Sequence, residues 1–336
     1  MRNPLVRSAL TLWLPLVVVY VVVLLLVQAG IIDAYMQVTI ATICINIVLA
    51  VSLNLITGFT GQFSLGHAGF MAIGAYSTAL VTMRWDNVFG FVGGLLLGGV
   101  IAALVGFLIG LPTLRLRGDY IAIATLGMAE IIRILLQNFE FTNGAAGLSP
   151  VPQHMDWTWF FILTVGSVIL IRNFLRSRHG RDAIAVREDE IAAESIGINT
   201  VRSKVLAFTI GAFFGGLAGG MYASYFYFIK PDLFGFMKSI DILVIVVLGG
   251  LGSISGSIIG AALLALISTA LQPFPALRMI IYALALVVIM LFRPQGLMGS
   301  REVSLGVLRR FRRPEVVPAA ASAAPAVKRD DDEEAV

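Results

Sequence analysis

The sequence predicts an all-α polytopic membrane protein with about ten membrane helices and with both termini in the cytoplasm. Of its 336 residues, 58% are hydrophobic and only 13% are charged, whereas about a quarter of the residues of a soluble domain are charged. Several apolar runs reach the roughly 20 residues that a helix needs to cross the hydrocarbon of a bilayer. Basic residues fall between these runs in a pattern that fits one orientation, because short loops rich in Lys and Arg face the cytoplasm.

The first apolar run is expected to remain in the mature chain. Arg2 and Arg7 precede a run from Leu12 to Val27, as at the start of a signal peptide. That run exceeds the usual hydrophobic core of about 7–15 residues, and no clear cleavage site of small residues follows it. We therefore predict an uncleaved first span.

Seven apolar runs precede a longer, interrupted stretch, and one run follows it. The predicted spans are Leu12–Ile32, Met36–Ile56, Phe63–Met83, Val88–Leu114, Asp119–Gln137, Trp157–Phe174, Ser203–Phe228 and, after the interruption, Leu277–Phe292. With the N-terminus inside, Arg115 and Arg117 fall on the cytoplasmic side, as does the basic segment after Phe174. The loop 138–156 has no Lys or Arg and falls outside.

The stretch Ser239–Leu271 decides the number of spans. The tail beyond Phe292 has arginines at positions 293, 301, 309, 310, 312 and 313, so it should be cytoplasmic. A single crossing would place it on the opposite side. The stretch is long for one helix and short for two, and its middle, GGLGSISG, disfavours helix. We predict a broken hairpin of two short helices.

Two glycine-rich segments have polar residues where the chain should be buried in the membrane. The first, GFTGQFSLGHAGFMAIGAY, runs from Gly58 to Tyr76, and its GQFSLG is echoed by GLGSISG from Gly250 to Gly256. Interrupted glycine-rich helices at matching positions line the pathway in several transporters, because their freed backbone groups can meet substrate or water. The pattern nominates as pathway-lining residues Gln62, Ser64, Gly66, His67, Gly250, Ser253 and Gly256.

The titratable residues inside the predicted spans each have a packing and a functional interpretation. On a continuous helix, His67 would share one face with Ser64, and a membrane histidine is either a hydrogen-bonded packing residue or part of a pathway. Glu130 and Arg133 are spaced i, i+3 on the fifth span, where Gln137 shares their face. Pairing offsets the roughly 2.5–3.5 kcal/mol that each isolated charge costs at mid-bilayer, so we expect a structural ion pair.

The longest predicted cytoplasmic segment, Arg172–Lys204, favours a helix over Ala183–Ile196. Gly180 and Asp182 suit its start, and Gly197 suits its end. A charged, half-apolar helix in that place is either a solvated surface element or a docking element for a partner.

Five motifs occur in order along the chain: GFTGQFSLGHAGFMAIGAY, GDYIAIATLGMAEIIR, GRDAIAVREDEIAAESIGIN, VVLGGLGSISGSIIGAAL and RPQGLMG. On these motifs, the chain from about residue 12 to 300 resembles bacterial branched-chain amino-acid ABC transporter permeases of the LivM type. The motifs are specific to a permease superfamily that also serves monosaccharides and urea or amides. They are less specific about the substrate.

The resemblance implies a subunit of a bacterial inner-membrane importer. Its implied partners are a second related permease, two ATPase subunits, a periplasmic substrate-binding protein and membrane lipid. The segment that matches the family's ATPase-docking loop is Gly180–Asn199, within a cytoplasmic loop at 175–202. The residues that the resemblance assigns to docking, with a partial match to the EAA-like pattern, are Asp182, Arg187, Glu190, Ala192, Ala193 and Gly197.

No motif in the sequence indicates bond-making or bond-breaking chemistry. Without G-x-x-x-x-G-K-[ST], ATP hydrolysis is expected in a partner chain, so the protein is not predicted to be an enzyme. The single cysteine, Cys44, and three widely separated histidines form no metal-ligand pattern, and neither a cofactor nor a nucleic-acid partner is expected. The alternatives are a permease of the same superfamily for urea, amides or monosaccharides and, in a different class, an ion-coupled secondary transporter that would use Glu130 or Asp241.

The chain divides by composition into two parts. Residues 1–300 are expected to form the transmembrane permease domain. Residues 301–336 turn to Pro and Ala and then to a run of acids, so we expect a disordered cytoplasmic tail that cannot bury enough apolar surface to fold alone.

Overall fold

The structure of the protein is a computed structural model that describes residues 17–18, 20–30, 32–113, 118, 120–272, 274, 280–281, 284, 287, 291–292 and 296–299. All of these residues belong to one compact unit, Met1–Glu302. Several sequence predictions fall outside the described residues. They concern Arg2 and Arg7, the loop 115–117, most of the last span and the tail 301–336.

The described residues form helices and the segments that join them, and no β-strand occurs among them. The helices are α1 (Ala34–Asn54), α2 (His67–Arg84), α3 (Val88–Thr113), α4 (Tyr120–Asn138), α5 (Trp157–Arg176), α6 (Arg178–Glu188), α7 (Glu190–Ser195), α8 (Thr200–Phe226), α9 (Phe236–Gly249) and α10 (Ile254–Ala270). A π-helical turn, Leu55–Phe59, continues α1, and residues 20–28 are also helical. The all-α prediction is confirmed for this part of the chain.

Five helical segments are long and apolar enough to cross a membrane: Ala34–Phe59 and the helices α3, α4, α5 and α8. They match five predicted spans to within a few residues. α10 is apolar but shorter. The total of ten membrane helices and the orientation of the termini stay predictions.

The helices α2, α3 and α8 pack against one another and form the centre of the fold. Gly74 in α2 lies so close to α8 that a Cβ on it would overlap the carbonyl oxygen of Gly216. A Cβ on Gly216 would in turn lie 3.0 Å from the carbonyl oxygen of Gly98 in α3. Small residues allow this approach of membrane helices. Most of α2 is buried, which explains why it can be less apolar than helices that face lipid.

The stretch 239–271 forms two short helices, as predicted. α9 and α10 have 14 and 17 residues, or about 21 and 26 Å at 1.5 Å per residue. They pack side by side and are separated by a break at 250–253. Gly250 and Gly252 have φ values of 119° and 81° there, a conformation that glycine adopts readily.

The predicted start of the third span is wrong. The helix expected to begin at Phe63 begins at His67. The residues before it have no regular secondary structure, and the N–H group of Leu65 donates to the side-chain hydroxyl of Thr125 (3.1 Å) instead of to a helical carbonyl. Ser64 therefore precedes the helix and does not share the helical face with His67 that the sequence suggested.

The cytoplasmic segment predicted as a single helix from Ala183 forms two helices, α6 and α7. α6 begins earlier, because the hydroxyl of Ser177 accepts the N–H group three residues later (3.3 Å). The backbone at Asp189 is extended, and its carboxylate accepts the N–H groups two and three residues later at 2.9 and 3.0 Å. This side-chain cap ends one helix and starts the next. Gly197 follows the end of α7 with φ +86°, close to the predicted end.

Candidate functional site

Four of the five sequence motifs meet in one place. The end of α1, the end of α6, the break between α9 and α10, and the C-terminal motif contact one another there. We call this place the motif junction and define it as residues 54–62, 186–190, 248–253 and 296–298. It lies on the α6 side of the fold, whereas the loop 138–156 is at the opposite end of α5.

Asn54 is the centre of the motif junction and is fully buried. Its Nδ2 donates to the carbonyl oxygen of Ser253 (2.9 Å) and to the hydroxyl of Ser257 (2.8 Å). Its Oδ1 accepts the N–H group of Gly252 (2.9 Å). The side chain thus uses both its donor and its acceptor, and it fixes the break between α9 and α10 to the end of α1.

Arg187, in the last turn of α6, reaches both breaks in the helical structure. Its Nη1 donates to the carbonyl oxygen of Gly58 in the π-helical turn (2.7 Å), and its guanidinium also pairs with Glu188. A Cβ on Gly252 would lie 2.8 Å from the same Nη1. The stem of Arg187 lies beside Gly61, where a Cβ would be 3.0 Å from the arginine Cγ. One side chain of α6 therefore touches residues of the first and of the second glycine-rich segment.

A second polar link lies close by. Lys204 in α8 is only 8% exposed, and its Nζ pairs with the carboxylate of Glu190 (2.6 Å). The carbonyl oxygen of Lys204 accepts from the side-chain amide of Gln62 (3.2 Å). The first residue of α7 is therefore held to α8, and α8 is held to the segment that precedes α2.

The motif RPQGLMG closes the end of α9. The N–H groups of Leu297 and Met298 donate to the carbonyl oxygens of Leu248 and Gly249 at 2.9 and 3.2 Å. The last carbonyl groups of a helix have no partner within that helix. This motif supplies their partners from near the C-terminal end of the described chain.

Among the cavities in the described part of the chain, two lie at opposite ends of the fold. One of about 400 Å³ borders the motif junction and is lined by residues 60–62, Lys204 and a group of charged side chains: Arg187, Glu188, Asp189, Glu190 and Glu194. The other, of about 620 Å³, lies near the start of α5 and the end of α8, and its wall combines Gln37, Gln153 and Asp156 with Trp157 and Tyr225.

The polar residues predicted to line a pathway are buried. Gln62, Ser64, His67 and Ser253 are each at most 1% exposed. His67 Nε2 lies 2.8 Å from the hydroxyl of Ser52, which is a packing interaction. Within the described part of the chain, His67 Nδ1 and Gln62 Oε1 are buried without a hydrogen-bond partner.

The predicted pathway residues around the second break have clear structural roles. The hydroxyl of Ser253 accepts the N–H group of Gly256 (3.0 Å) and caps α10. A Cβ on Gly256 would overlap the carbonyl oxygen of Gly249, so this glycine sets the distance between α9 and α10. Gly250 has φ 119° and ends α9. Gly66 similarly packs against the backbone of α4, where a Cβ would be 2.6 Å from the carbonyl oxygen of Thr125.

The residues assigned to docking divide into two groups. Arg187 and Glu190 bond inward, as described above, and Ala193 is 3% exposed. Asp182 is half-buried, whereas Ala192 and Gly197 are exposed. Beside the exposed pair, two large apolar side chains reach solvent: Ile191 is 77% exposed and Ile196 is 76% exposed.

The predicted ion pair on the fifth span is confirmed. Arg133 Nε lies 2.7 Å from the carboxylate of Glu130. Arg133 and Gln137 also contact Asp232, at 3.3 and 2.8 Å. This network joins α4 to the turn before α9.

Sequence reasoning missed several residues of the motif junction. The position of Asn54 at the end of an apolar helix was a usable signal, because a buried polar group needs partners. Lys204 offered a weaker signal, since a basic residue near the end of a span fits the cytoplasmic side without any specific partner. Nothing in the local pattern indicated that Leu297 and Met298 would cap a distant helix.

The chain is similar to one protein family over most of its length. The model of the family described as "Branched-chain amino acid transport system / permease component" matches residues 35–291. No solved structure matches the chain.

Several named permease proteins are similar to the chain. The chain is 39% identical over 289 residues to the high-affinity branched-chain amino acid transport system permease protein LivM of Escherichia coli (strain K12), covering 76% of this chain and 68% of the relative. The identity and coverage are the same for LivM of Salmonella typhimurium. LivH of Salmonella typhimurium, a permease protein of the same named system, is 28% identical over 288 residues, covering 76% of this chain and 91% of LivH.

Proposed function

The chain belongs to the family of branched-chain amino acid transport permease components, and from that membership we propose that it is the membrane-spanning subunit of an ATP-driven importer of branched-chain amino acids. In this proposal, a periplasmic binding protein delivers the amino acid, and separate ATPase subunits hydrolyse ATP. A second, related permease completes the pathway. The observation that carries the proposal is the 39% identity to LivM proteins, and the similarity to LivH supports the pairing of two related permeases.

The proposed location is the bacterial inner membrane, with ten membrane helices and both termini in the cytoplasm. The α6–α7 segment and the loop 138–156 flank the 20-residue helix α5, which supports opposite sides for them. In a Cys44→Ser background, Ser195→Cys should react with an impermeant thiol reagent only in inverted vesicles. Glu140→Cys should react only from outside. The reverse pattern would overturn the orientation.

We assign ATPase docking to the exposed face of the α6–α7 segment. Ile191 and Ile196 place apolar surface among charged residues, on a segment outside the spans, and a partner surface would remove that apolar area from water. Ile191→Ser should weaken binding of the ATPase subunits, whereas His179→Ser, also at an exposed position of the segment, should not. Equal binding by both variants and the unchanged protein would remove Ile191 from the interface.

The two glycine-rich segments remain our proposed wall of the substrate pathway. Their support is the pair of helix breaks and the buried polar atoms of Gln62 and His67 that have no partner among the described residues. Such atoms become available to a zwitterion when the wall opens. Gln62→Leu should lower the uptake rate while the complex still assembles. Unchanged uptake in that variant would remove Gln62 from the pathway.

The substrate is tested by uptake into vesicles that contain the chain with its second permease and ATPase subunits. Binding proteins for leucine, urea and ribose are supplied one at a time. We expect ATP-dependent uptake of leucine, with competition by isoleucine and valine, and none of urea or ribose. Uptake of urea or ribose instead of leucine would assign the chain to another branch of the superfamily.

The ion-coupled alternative has less support from the described residues. A secondary transporter needs a carboxylate that can bind and release its coupling ion. Glu130 is paired with Arg133 at 2.7 Å, so its charge is already neutralised. Leucine uptake that persists without ATP and follows a proton or sodium gradient would favour this alternative over the proposed importer.

A further inference from the structure

Arg187 is partly exposed on α6, but it also bonds to the interior of the fold. Its guanidinium points from α6 into the motif junction and donates to the carbonyl oxygen of Gly58 at 2.7 Å. Only about a third of its side chain is exposed (34%). A hydrogen bond from a charged donor to a backbone carbonyl is among the stronger hydrogen bonds in proteins. This contact therefore holds the end of α6 to the π-helical turn after α1.

The carbonyl group that receives this bond is itself tied to the second break. Gly58 packs against Asn54 and Gly252 so closely that a Cβ on Gly58 would overlap both. Gly252 donates to Asn54 (2.9 Å), and a Cβ on Gly252 would lie 2.8 Å from Arg187 Nη1. Arg187, Gly58, Asn54 and Gly252 therefore form a closed ring of contacts.

This ring has mechanical consequences. A shift of α6 that keeps the bond to Gly58 must move the end of α1, and through Asn54 it must also move the break between α9 and α10. Both moved parts are helix ends with positive-φ glycines nearby, at Gly61 and Gly252, where the backbone can absorb a change of dihedral angle with little steric cost.

We propose that Arg187 is the positioning residue that transmits movement of the docking segment to both helix breaks. The inference rests on the proposed function, since it assumes that an ATPase moves the α6–α7 segment. It assigns to Arg187 a role in coupling, separate from binding the ATPase.

The test compares three variants in the reconstituted complex. Arg187→Met keeps the aliphatic stem but removes the donor, and Arg187→Lys keeps a charged donor without the planar fork. Arg181→Met is the matched control, because Arg181 is an exposed arginine of the same helix. We expect Arg187→Met to assemble and hydrolyse ATP within about twofold of the unchanged complex, but to move at least fivefold less leucine per ATP. Arg187→Lys should recover part of this ratio, and Arg181→Met should match the unchanged complex.

The outcomes separate this inference from the proposed function. If the unchanged complex shows no ATP-dependent leucine uptake, the proposed function fails. If it transports leucine and Arg187→Met keeps the same ratio of leucine to ATP, the positioning role of Arg187 is overturned.

A distance measurement decides the question even if Arg187→Met does not assemble. Spin labels are placed at Ser195→Cys and Leu251→Cys in the Cys44→Ser background, with Arg187 unchanged. A third label at Glu140→Cys, on the loop 138–156, is paired in turn with each of the two as a reference. If Arg187 couples the two regions, a non-hydrolysable ATP analogue should move both labels relative to this reference while the distance between them stays the same. A nucleotide-dependent change of that distance would mean that the docking segment moves independently of the break, and would overturn the inference. No movement of either label would also overturn the inference.

Discussion

The three-helix centre and the motif junction are held together by different means. In the centre, α2, α3 and α8 are continuous helices whose backbones touch at glycines such as Gly74 and Gly216. In the junction, helices end, and their free backbone groups are bound by side chains such as Asn54 and Arg187. The first arrangement depends on the absence of side-chain volume, and the second depends on specific donors and acceptors.

This difference indicates which part can move. Close backbone packing leaves few alternative arrangements, because interiors are near crystal density. A junction made of helix ends can shift with its hydrogen bonds intact, because the positive-φ glycines beside these ends, Gly61 and Gly252, absorb a change of dihedral angle with little steric cost. We therefore interpret the centre as the rigid frame and the motif junction as the adjustable part, and three substitutions test the distinction.

The largest effect is expected in the centre. Gly74→Leu places a branched side chain where even a Cβ would overlap the carbonyl oxygen of Gly216, so α2 and α8 must separate. Overpacking usually costs about 1–3 kcal/mol, and we expect at least the upper end here because backbone cannot move aside as a side chain can. The loss of stability is measured by the yield of monodisperse protein and by its thermal midpoint.

The matched control for that change is Gly93→Leu in α3. A Cβ on Gly93 has no neighbour within 4 Å, and the residue is exposed, so the yield and midpoint should be unchanged or slightly higher. If Gly74→Leu and Gly93→Leu lower the yield and the thermal midpoint by similar amounts, backbone contact does not define the centre.

An intermediate effect is expected in the motif junction. Asn54→Leu removes the acceptor of the Gly252 N–H group and the donors to Ser253 and Ser257, while the carbonyl oxygen of Ser253 still accepts from the N–H and hydroxyl groups of Ser257. With about 1–3 kcal/mol for an N–H group left without an acceptor, we expect the free energy of unfolding to fall by roughly 1–3 kcal/mol. The measurement is the thermal midpoint together with protease sensitivity at 250–253.

Asn46 supplies the control, because it is an asparagine of the same helix and is also buried, at 8% exposure. Its Oδ1 has no hydrogen-bond partner among the described residues, so Asn46→Leu should be neutral or stabilising. If Asn46→Leu lowers the thermal midpoint as much as Asn54→Leu does, the hydrogen bonds of Asn54 do not stabilise the motif junction.

Local patterns in the sequence predicted much of the frame, and long-range contacts made the rest unpredictable. Apolar run length located five spans, and the glycines of GGLGSISG located the break in the hairpin. The pair of Glu130 and Arg133 followed from i, i+3 spacing alone. In contrast, the start of α2 depends on Thr125, which is far from it in sequence.

The direction of side chains in the cytoplasmic segment was also unpredictable from local patterns. Arg187 and Glu190 were assigned to docking from their place in a motif, yet their charges face Gly58 and Lys204. Both residues lie beside the break at Asp189, where α6 has ended and the Asp189 carboxylate caps the start of α7, and the expected single helix did not include this cap. The sequence therefore indicates the separate motifs of the motif junction, but it does not predict that they contact one another.

The smallest global effect is expected where the junction meets the docking segment. Glu190→Gln keeps the shape of the side chain and an acceptor for Lys204, but it removes the negative charge 2.6 Å from a nearly buried ammonium group. Partly exposed pairs contribute about 0–1 kcal/mol, and the burial of Lys204 places this pair at the upper end. Hydrogen exchange should become faster in α7, while exchange in α2 and α8 should stay unchanged.

Glu194→Gln separates loss of charge from loss of this pair. Glu194 belongs to the same short helix, and its carboxylate accepts from the hydroxyl of Thr200 (3.0 Å), a bond that the amide oxygen of glutamine can keep. Its substitution should leave exchange in α7 unchanged. If Glu190→Gln instead lowers protection in α2 and α8 as much as in α7, the docking segment and the central helices open as one unit. The contrast between a rigid frame and an adjustable junction would then be wrong, because opening of the junction would not be possible without loosening the centre.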